Sequence, residues 1–479
     1  MTERTSIHGQ WSNRLMFILA ATGSAVGLGN IWKFPYITGE NGGGAFVAVY
    51  LACIAIVGIP IMMAEIMLGR RGRQSPINTM RSLAHDEKAG KGWVLLGWGG
   101  VLAGFFILSY YSVIAGWALS YVFRTAAGVF NGVTADGVQS IFSGLVGDPE
   151  RLLAWHTLFM VMCMVVVARG VRHGLEKAVR ILMPALFVLL LVLLGYSYNT
   201  GFFNQGLEFL FTPDFSKVFY KCEILNGVQS CSFDGGPMLV AMGHAFFTLS
   251  LGMGAIMVYG SYMPKNSSIT ASATMIAVLD TLVALVAGMA IFPIVFANGL
   301  EPGSGPGLIF QTLPIAFGAM PGGHLFGTMF FILLVFAAWT SGISLIEPAV
   351  AWLVENRSMT RVRASIWVGV SVWLLGLGSV FSFNIWSGAE FQLFGKTFFD
   401  LLDYLTANIM LPMGGLLIAI FAGWRMTRDS SVEEFNLRFN FFYRVWRLLI
   451  RYITPVAVII VFLNAIGVVD WLLSKNLLW

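Results

Sequence analysis

The sequence predicts an all-α polytopic membrane protein with eleven transmembrane helices, and two observations carry this prediction. Apolar residues make up 57% of the 479-residue chain and charged residues only 11%, whereas soluble proteins contain about 45–50% and about 25%. The apolar runs continue over about 20 residues, the length that a helix needs to cross a bilayer, while the strands of a membrane barrel alternate over about 10. A cytosolic enzyme, a nucleic-acid-binding protein and a disordered scaffold all fit this composition poorly.

Eleven apolar runs are long enough to span a bilayer. They are 13–37, 43–68, 94–123, 154–168, 178–198, 238–262, 270–297, 325–353, 364–382, 398–423 and 450–472. The first run is not expected to be a cleaved signal peptide, because it is long, contains polar residues and lacks a small-residue cleavage site. The remaining segments predict a cytoplasmic tail (1–12), an outer loop (199–237) and a cytoplasmic loop (424–449), with the last span and an outside C-terminus in 450–479.

The basic residues predict which ends of the spans face the cytoplasm. With the N-terminus inside, all but seven of the 29 Lys and Arg residues fall in cytoplasmic segments. The exceptions are Lys33, Arg124, Arg151, Lys217, Lys221, Lys396 and Lys475. We therefore expect a multi-pass protein of the inner (plasma) membrane with a cytoplasmic N-terminus and, because eleven is odd, the C-terminus outside. The basic pI then reflects topology and contact with anionic lipid rather than a nucleic-acid partner.

The four cysteines fall into two pairs. Cys53 and Cys163 lie within spans, where they are expected to act as small apolar side chains. Cys222 and Cys231 share the outer loop, where an oxidising compartment permits a disulfide. The sequence leaves a bridge and two free thiols open as equal alternatives.

Two spans contain glycine-rich interruptions at corresponding positions. The first span reads GSAVGLGN over 23–30 and the sixth reads FTLSLGMG over 247–254. Because they are five spans apart, spans 1–5 (13–198) and 6–10 (238–423) are predicted to be inverted repeats. Gly disfavours a helix interior by about 1 kcal/mol relative to Ala, and backbone freed in lipid needs other partners, such as an ion or a solute. For a glycine pair alone, close helix packing is the alternative.

Ionisable side chains inside spans are costly and usually functional. Here they are Glu65, His244, Asp280, Glu347 and Asp403. Asp280 lies in the middle of its span, where a carboxylate suits a cation or a proton, or else caps or hydrogen-bonds a helix. Thr340 and Ser341 offer further oxygens, although such hydroxyls often bond back to their own helix. No phosphate loop, metal-spaced His/Cys cluster or nucleophile elbow occurs in the sequence, so we do not expect an enzyme.

These residues resemble the neurotransmitter:sodium symporter family, in particular its bacterial amino-acid transporter branch. The resemblance rests on Trp11, on GLGNIWKFPY over 27–36, on ENGGGAF over 40–46, on GIP over 58–60 and on FFTLSLG over 246–252. It extends from about Trp11 through the tenth span. The family's fold consists of two inverted repeats of five helices with discontinuous first and sixth helices, and an eleven-span chain is similar to bacterial members that lack a twelfth helix.

The resemblance implies two sodium sites built from oxygen atoms. The first would use the carbonyls of Ala25 and Thr248, the side chains of Asn30, Thr248 and Asp280, and the carboxylate of the substrate. The second would use the carbonyls of Gly23, Val26 and Ala337 with the hydroxyls of Thr340 and Ser341. Such oxygens suit a weakly held monovalent cation, and unwound backbone supplies them without burying extra charge.

The resemblance places the substrate between the two interruptions. Its implied contacts are Ala25, Gly27, Gly29, Ile107, Tyr111, Phe247, Thr248, Ser250, Met253, Ser341 and Leu345. Monoamine carriers in the family have Asp where this chain has Gly27, and Gly leaves room for the carboxylate of an amino acid. A helix N-terminus and the Tyr111 hydroxyl favour that carboxylate. Because the lining is otherwise apolar, we expect a neutral, hydrophobic or aromatic L-amino acid.

The resemblance also implies an outer gate. Tyr111 and Phe247 would cover the substrate, and Lys33 would pair with Asp403 above them. The family usually has Arg where this chain has Lys33, and Lys offers a point charge instead of a bidentate fork. The outer gate is therefore expected to be looser than in relatives with Arg.

The implied inner gate consists of a closing network near the cytoplasm. Its members would be Trp11, Ser261, Tyr262 and Glu355. The Arg that the family carries near Trp11 is replaced by His8. The inner ion pair therefore depends on whether His8 or Arg4 takes its place.

Two departures from the family's pattern concern chloride. Chloride-dependent relatives have a hydroxyl at the position of Ala284 and Asn at that of Asp280, whereas Tyr50 is retained. Because Asp280 supplies a fixed negative charge, no chloride requirement is expected. His244 replaces a Gln one turn before Thr248, and we hypothesise that it interacts with Asp280, which would allow a pH dependence or proton counter-transport. The alternative is a neutral His that is merely hydrogen-bonded.

The leading interpretation is sodium-coupled import by alternating access, in which spans 1, 2, 6 and 7 rock against the rest. The first alternative is a transporter of another small solute that couples to protons through Asp280 and His244. A non-transporting amino-acid sensor would typically add a cytoplasmic signalling domain, for which the predicted loops are short. Aromatic gates and the lack of charged rings disfavour an ion channel. The expected partners are an amino acid and membrane lipid, without an obligate protein partner.

Overall fold

A computed structural model describes residues 4–225, 228–302, 307–435, 441–465 and 468, with the backbone alone for 217, 221–225, 228–233, 464 and 465. Within these residues, the regular structure is helical apart from one two-stranded hairpin in the outer loop. The prediction of an all-α membrane protein is confirmed, and nine helices of the described residues, or ten if the bent first pair is one span, are long and apolar enough to cross a membrane.

Nine spans in the described part of the chain are continuous helices. They are span 2 (Gly44–Gly72), span 3 (Lys91–Ala126), span 4 (Pro149–Ala168), span 5 (Val171–Tyr198), span 7 (Ile269–Ala297), span 8 (Gly323–Arg357), span 9 (Arg361–Ser382), span 10 (Phe398–Arg425) and span 11 (Phe441–Leu463). Span 1 consists of Arg14–Ala25 and Gly29–Glu40, bent by 50°, and span 6 consists of Gly236–Thr248 and Ala255–Ser261. The interrupted spans are the two in which the sequence predicts an interruption.

Span 11 differs most from its predicted bounds, because it begins at Phe441 rather than at 450. Its first turns carry Arg444, Arg447 and Arg451, so these turns are helical but not apolar. The connection that precedes span 11 also contains a short helix, Arg428–Phe435.

The outer loop over 199–237 is largely structured. It contains the helices Phe203–Phe211 and Ser216–Phe219 and the antiparallel strands β1 (Tyr220–Leu225) and β2 (Val228–Phe233). The backbone register places Cys222 opposite Cys231. Their side chains lie outside the described residues, so a bridge and two free thiols stay equal alternatives. Further short helices outside the spans are Pro76–Asp86, Ala135–Val146, Leu308–Ala319 and Ala389–Phe391.

Small residues let the helices around the interruptions approach closely. Span 3 packs along span 8, where a Cβ at Gly104 would lie 2.9 Å from the carbonyl oxygen of Leu345. The second part of span 6 packs on span 2, where a Cβ at Gly260 would lie 2.9 Å from the carbonyl oxygen of Ile66. Part of the high glycine content therefore serves helix packing, and this packing surrounds the interrupted segments with spans 2, 3, 7 and 8.

Candidate site for substrate and cations

The interruption of span 1 exposes backbone groups that are partly capped by side chains. The helix ends at Ala25, and Val26 is extended with ψ 108°. The Gly27 N–H donates to Asn30 Oδ1 at 3.0 Å, and the Leu28 N–H donates to the Tyr111 hydroxyl at 3.3 Å. Because the helix ends at Ala25, its last carbonyl groups lack donors within the helix and are available to other partners.

The interruption of span 6 is held open by left-handed backbone and by a buried carboxylate. Ser250, Gly252 and Gly254 have φ values of +53°, +80° and +74°, a region that Gly adopts without strain. The Gly252 N–H donates to Glu65 Oε1 of span 2 at 2.5 Å. The Ser250 hydroxyl donates to the Ser24 carbonyl at 2.8 Å, which joins the two interruptions directly. The sequence singles out Glu65 as an intramembrane carboxylate, and the structure places it as a support for span 6.

Asn30, Thr248 and Asp280 form a fully buried polar cluster between spans 1, 6 and 7. The Asn30 amide nitrogen lies 2.8 Å from Asp280 Oδ1, 3.1 Å from the Asp280 carbonyl oxygen and 3.0 Å from Thr248 Oγ1. The Thr248 hydroxyl donates to Asp280 Oδ2 at 3.0 Å. The side chains predicted for the first sodium site therefore meet in one place, where a cation would be shielded from water.

The Ser341 hydroxyl of span 8 faces carbonyls that the interruption of span 1 releases. The carbonyl oxygens within 3.4 Å of its Oγ are those of Gly23, Ser24 and Val26. Thr340 Oγ1 bonds back to the Ala337 carbonyl at 3.1 Å. The five residues predicted for the second sodium site thus lie on facing surfaces of spans 1 and 8.

A cavity of about 20 Å³ lies between the two interruptions. Its lining consists of Ser24, Ala25, Gly27, Leu28, Gly29, Ile107, Tyr111, Phe247, Ser250, Met253, Ser341 and Leu345. The structure therefore brings together every predicted substrate contact except Thr248, which belongs to the polar cluster beside the cavity. Ser24 and Leu28 line it in addition, and the sequence indicates them only as neighbours of the predicted glycines.

A side chain at the position of Gly27 would require two facing hydroxyl groups to move. A Cβ at Gly27 would lie 2.6 Å from Ser341 Oγ and 2.9 Å from the Tyr111 hydroxyl oxygen. Both distances are shorter than the normal separation between a Cβ atom and a side-chain oxygen. The space beside Gly27 is consequently bounded by two hydroxyl groups and by free backbone.

A second cavity of about 420 Å³ lies on the other side of Tyr111 and Phe247, which line both cavities. Lys33 and Asp403 line this larger cavity as well. The predicted ion pair between them is not present among the described residues, which corrects that part of the outer gate. Lys33 Nζ lies instead 4.9 Å from the centre of the Phe247 ring.

A buried network closes the opposite side of the candidate site. The Trp11 backbone N–H donates to the Tyr262 carbonyl at 3.0 Å, and its indole N–H donates to the Tyr259 carbonyl at 3.0 Å. The Tyr262 hydroxyl donates to Glu347 at 2.7 Å, and the other oxygen of Glu347 pairs with Arg361. The sequence does not single out Arg361, because its partner lies on another helix.

His8 takes the place of the expected Arg in the inner ion pair. His8 Nε2 lies 3.1 Å from Glu355 Oε1, and both side chains are almost fully buried. The Ser75 backbone N–H donates to the same carboxylate at 2.7 Å. Arg4 instead pairs with Asp86 at 2.9 Å, so the alternative in which Arg4 substitutes does not describe this structure.

Ser261, the remaining predicted member of the inner gate, is held through its backbone. Its hydroxyl bonds back to the Val258 carbonyl at 2.7 Å. The Arg73 guanidinium, just beyond the end of span 2, donates to the carbonyls of Ser261 and Met263 at 3.3 and 2.5 Å. Burial lowers the pKa of Arg73 from its usual range, and these carbonyls provide the hydrogen bonds that its charged form needs.

His244 does not hydrogen-bond to Asp280, which corrects the hypothesis of a direct interaction. Both ring nitrogens are buried and have no hydrogen-bond partner among the described residues. The ring packs against Phe34 and Tyr50, with centroids 6.1 and 5.3 Å apart. The Asp280 carboxylate is already engaged by the amide and hydroxyl of the polar cluster, which leaves His244 in an aromatic environment.

Comparison with known proteins places this site in a family. The model of the "Sodium:neurotransmitter symporter family" matches residues 8–131 and 143–475. The chain belongs to this family. As a sodium:neurotransmitter symporter it is a sodium-dependent membrane transporter and not an enzyme, so these predictions are confirmed.

Relatives of this symporter cover nearly its whole length. The uncharacterised sodium-dependent transporter YhdH of Bacillus subtilis (strain 168) is 37% identical over 466 residues, covering 96% of this chain and 98% of the relative. Sodium- and chloride-dependent GABA transporter 2 of Homo sapiens is 25% identical over 502 residues, covering 92% and 76%. The crystal structure of MhsT in complex with L-phenylalanine matches with a TM-score of 0.85 and 44% identity, covering 95% of this chain and 99% of that one.

Proposed function

We propose that this symporter imports a neutral, hydrophobic or aromatic L-amino acid across the plasma membrane, driven by sodium and without chloride. The cavity between the interrupted helices carries the proposal, because it joins free backbone and hydroxyl groups to an apolar lining. None of the described residues that line it is charged, so a charged substrate side chain would have no counter-ion. MhsT, a relative of known structure, was crystallised in complex with L-phenylalanine.

The carboxylate of the substrate would lie beside Gly27. The helical segment Gly29–Lys33 begins there, and the N-terminus of a helix favours an anion. The Tyr111 hydroxyl is close enough to donate a hydrogen bond to the carboxylate. The substrate side chain would extend towards Ile107 and Met253, and the flexible thioether of Met253 can adapt to side chains of different shape.

Two sodium ions would bind beside the substrate and couple its binding to the gradient. The first would bind at the Asn30, Thr248 and Asp280 cluster and share the carboxylate of the substrate, so that each ligand completes the site of the other. The second would bind between spans 1 and 8 at Thr340 and Ser341. Occupation of both sites would draw span 1 against spans 7 and 8 and favour one arrangement of the transporter over the other.

Movement between two arrangements would expose the site alternately to each side. With the N-terminus in the cytoplasm, the Trp11 network would close the inner side and Tyr111 with Phe247 would close the outer side. Sodium and substrate would enter through the larger cavity, and release inward would require the Trp11 network to separate.

Asp280 would provide the negative charge that chloride supplies in other relatives. We expect wild-type binding to be independent of chloride. Asp280→Asn should weaken sodium-dependent binding at least about tenfold in gluconate buffer, because the cluster loses its charge while keeping its shape. The double variant Asp280→Asn with Ala284→Ser should recover part of this loss when chloride is added. Binding that requires chloride in the wild type, or normal chloride-free binding by Asp280→Asn, would contradict the role of Asp280.

The substrate class is tested by a binding screen on purified protein. Thermal unfolding and scintillation proximity would be measured with each neutral and charged L-amino acid, in sodium and in potassium buffer. We expect sodium-dependent stabilisation by apolar and aromatic amino acids and none by charged ones. Gly27→Ala should abolish it, whereas the matched control Gly99→Ala, where a Cβ would meet nothing within 4 Å, should not. The proposal fails if no neutral amino acid gives a sodium-dependent shift.

A further inference from the structure

The ends of spans 10 and 11 form a basic and aromatic surface that the transport site does not use. Span 10 ends at Arg425, and the apolar helix Thr454–Ala465 of span 11 begins shortly after Arg451. The Trp424 indole N–H donates to the Arg451 carbonyl at 3.0 Å, so the end of span 10 lies at the level of Arg451 within span 11. A Cβ at Gly423 would lie 3.2 Å from Arg451 Cα, and Gly at this position permits the close approach.

Arg451 is fixed by aromatic rings rather than by a carboxylate. Its guanidinium carbon lies 4.1 Å from the centre of the Trp424 ring and 5.6 Å from that of Tyr452. Its Nε is buried and has no hydrogen-bond acceptor among the described residues. A cation–π contact orients a guanidinium without using its N–H donors. Arg451 is therefore held in place by aromatic rings, and no carboxylate among the described residues pairs with it.

A groove of about 470 Å³ opens at the same place. It is lined by Ile420, Trp424 and Arg425, and the indole is 50% exposed. The charged Arg425 side chain therefore lies where span 10 ends. Ile420 and Trp424 form the apolar wall of the groove, inside the span. Trp, Tyr and Arg side chains of this kind are typical of the headgroup level of a membrane.

Nearby carboxylates leave this surface positive. Glu434 pairs with Arg70 at 2.8 Å, and Glu433 pairs with Arg71 at 3.1 Å, so both are neutralised by span 2. Asp429 remains in the described stretch from Ile420 to Tyr452, and Glu87 accepts a hydrogen bond from the Thr427 N–H at 3.0 Å. The arginines of that stretch are Arg425, Arg428, Arg444, Arg447 and Arg451.

We propose that this surface binds the headgroup of an anionic phospholipid in the membrane leaflet on its side of the protein. The phosphate would bind between Arg425 and Arg451, since guanidinium groups match the geometry of phosphate oxygens. One acyl chain would lie along Ile420, and the apolar side chain of Val456, 58% exposed on span 11, would continue that wall. The apolar wall distinguishes a lipid from a soluble anion, and a basic pocket between helices is the usual form of such sites.

The test uses the full-length protein, delipidated in an uncharged detergent. Its unfolding temperature would be titrated with a short-chain phosphatidylglycerol, with the matching phosphatidylcholine and with inorganic phosphate. We expect phosphatidylglycerol alone to stabilise the wild type. Arg425→Gln and Arg451→Gln should each raise the half-saturating concentration about fivefold, the effect of one basic residue at an anionic surface. The control Arg363→Gln removes an exposed Arg from the corresponding end of span 9 and should change nothing.

Three results would overturn the proposal. Stabilisation by inorganic phosphate at the same concentration would indicate a site for soluble anions. Unchanged titrations in Arg425→Gln would exclude the groove even if Arg451→Gln failed to fold, because the Arg425 side chain is exposed. An equal loss in Arg363→Gln would indicate general electrostatic attraction. Sodium-dependent amino-acid binding should stay unchanged in all three variants, so a failure here is distinguishable from a failure of the proposed transport function.

Discussion

The two sides of the candidate substrate site are closed in different ways. On the side of Trp11, buried hydrogen bonds and two carboxylates, Glu347 and Glu355, join the N-terminal tail to spans 6, 8 and 9. On the side of Lys33, Leu28 and the aromatic side chains of Tyr111 and Phe247 lie between the site and a cavity of about 420 Å³. The charges that line that cavity are not paired with each other.

This difference indicates which side of the site would cost more free energy to open. In the proposed mechanism, opening the side of Lys33 would require side-chain movement, whereas opening the side of Trp11 would break buried hydrogen bonds to charged groups, each of which contributes about 1.5–3 kcal/mol. Ligand binding would then have to favour the arrangement that is open on the side of Trp11 by several kcal/mol to populate it. Substitutions on the inner side should have larger effects than substitutions on the outer side.

The largest effect is expected for Glu347→Gln. This change leaves the Arg361 guanidinium without its carboxylate, and removing one partner of a buried pair costs about 3–5 kcal/mol. Thermal unfolding of purified protein should show the greatest loss of stability among the variants considered. The control Tyr262→Phe removes one hydrogen bond from the same carboxylate and should cost about 1 kcal/mol. Equal losses in the two variants would show that the Arg361 pair contributes little.

A smaller effect is expected for His8→Ala, which removes the contact with Glu355 at 3.1 Å. Loss of this bond should loosen the inner side, so a single cysteine introduced at Ser261 should react about tenfold faster with a soluble thiol reagent. His8→Arg should restore slow labelling, because Arg keeps a donor and a permanent charge. Ile7→Ala, at a neighbour that is 71% exposed, is the control. Labelling at the same rate in His8→Ala and Ile7→Ala would contradict a closing role for His8.

The smallest effect is expected for Lys33→Gln on the outer side. The ammonium group contacts the Phe247 ring and no carboxylate among the described residues, and an exposed cation–π contact contributes about 0.5–1 kcal/mol. Amino-acid affinity should therefore change less than about fivefold. A loss of affinity of about tenfold or more, equal to the change in labelling rate expected for His8→Ala, would contradict the difference between the two sides.

The sequence predicts the interruptions well because they depend on local chemistry. Gly252 and Gly254 have positive φ values, and a Cβ at Gly27 would meet Ser341 and Tyr111. These requirements appear in the sequence as glycines in otherwise apolar spans. The resemblance to a family then supplied the residues on spans 3 and 8 that complete the cavity, which glycine spacing alone could not identify.

The gates are harder to predict because they depend on which arrangement the chain adopts. Lys33 and Asp403 both line the outer cavity, and the distance between them is set by the positions of spans 1 and 10. The role of Glu65 depends on a hydrogen bond from Gly252, far away in the sequence. The surroundings of His244 are equally hard to predict from the sequence, because the aromatic rings that pack against it come from spans 1 and 2.

The central claim is that sodium and a neutral amino acid bind together between the interrupted helices and are transported together. The most direct test is uptake of labelled L-phenylalanine into proteoliposomes under an imposed sodium gradient or an imposed pH gradient, in chloride-free buffer. We expect accumulation with the sodium gradient alone, none with the pH gradient alone, and none in Gly27→Ala, while Gly99→Ala transports normally. Accumulation that follows the pH gradient and ignores sodium would contradict the claim and favour proton coupling.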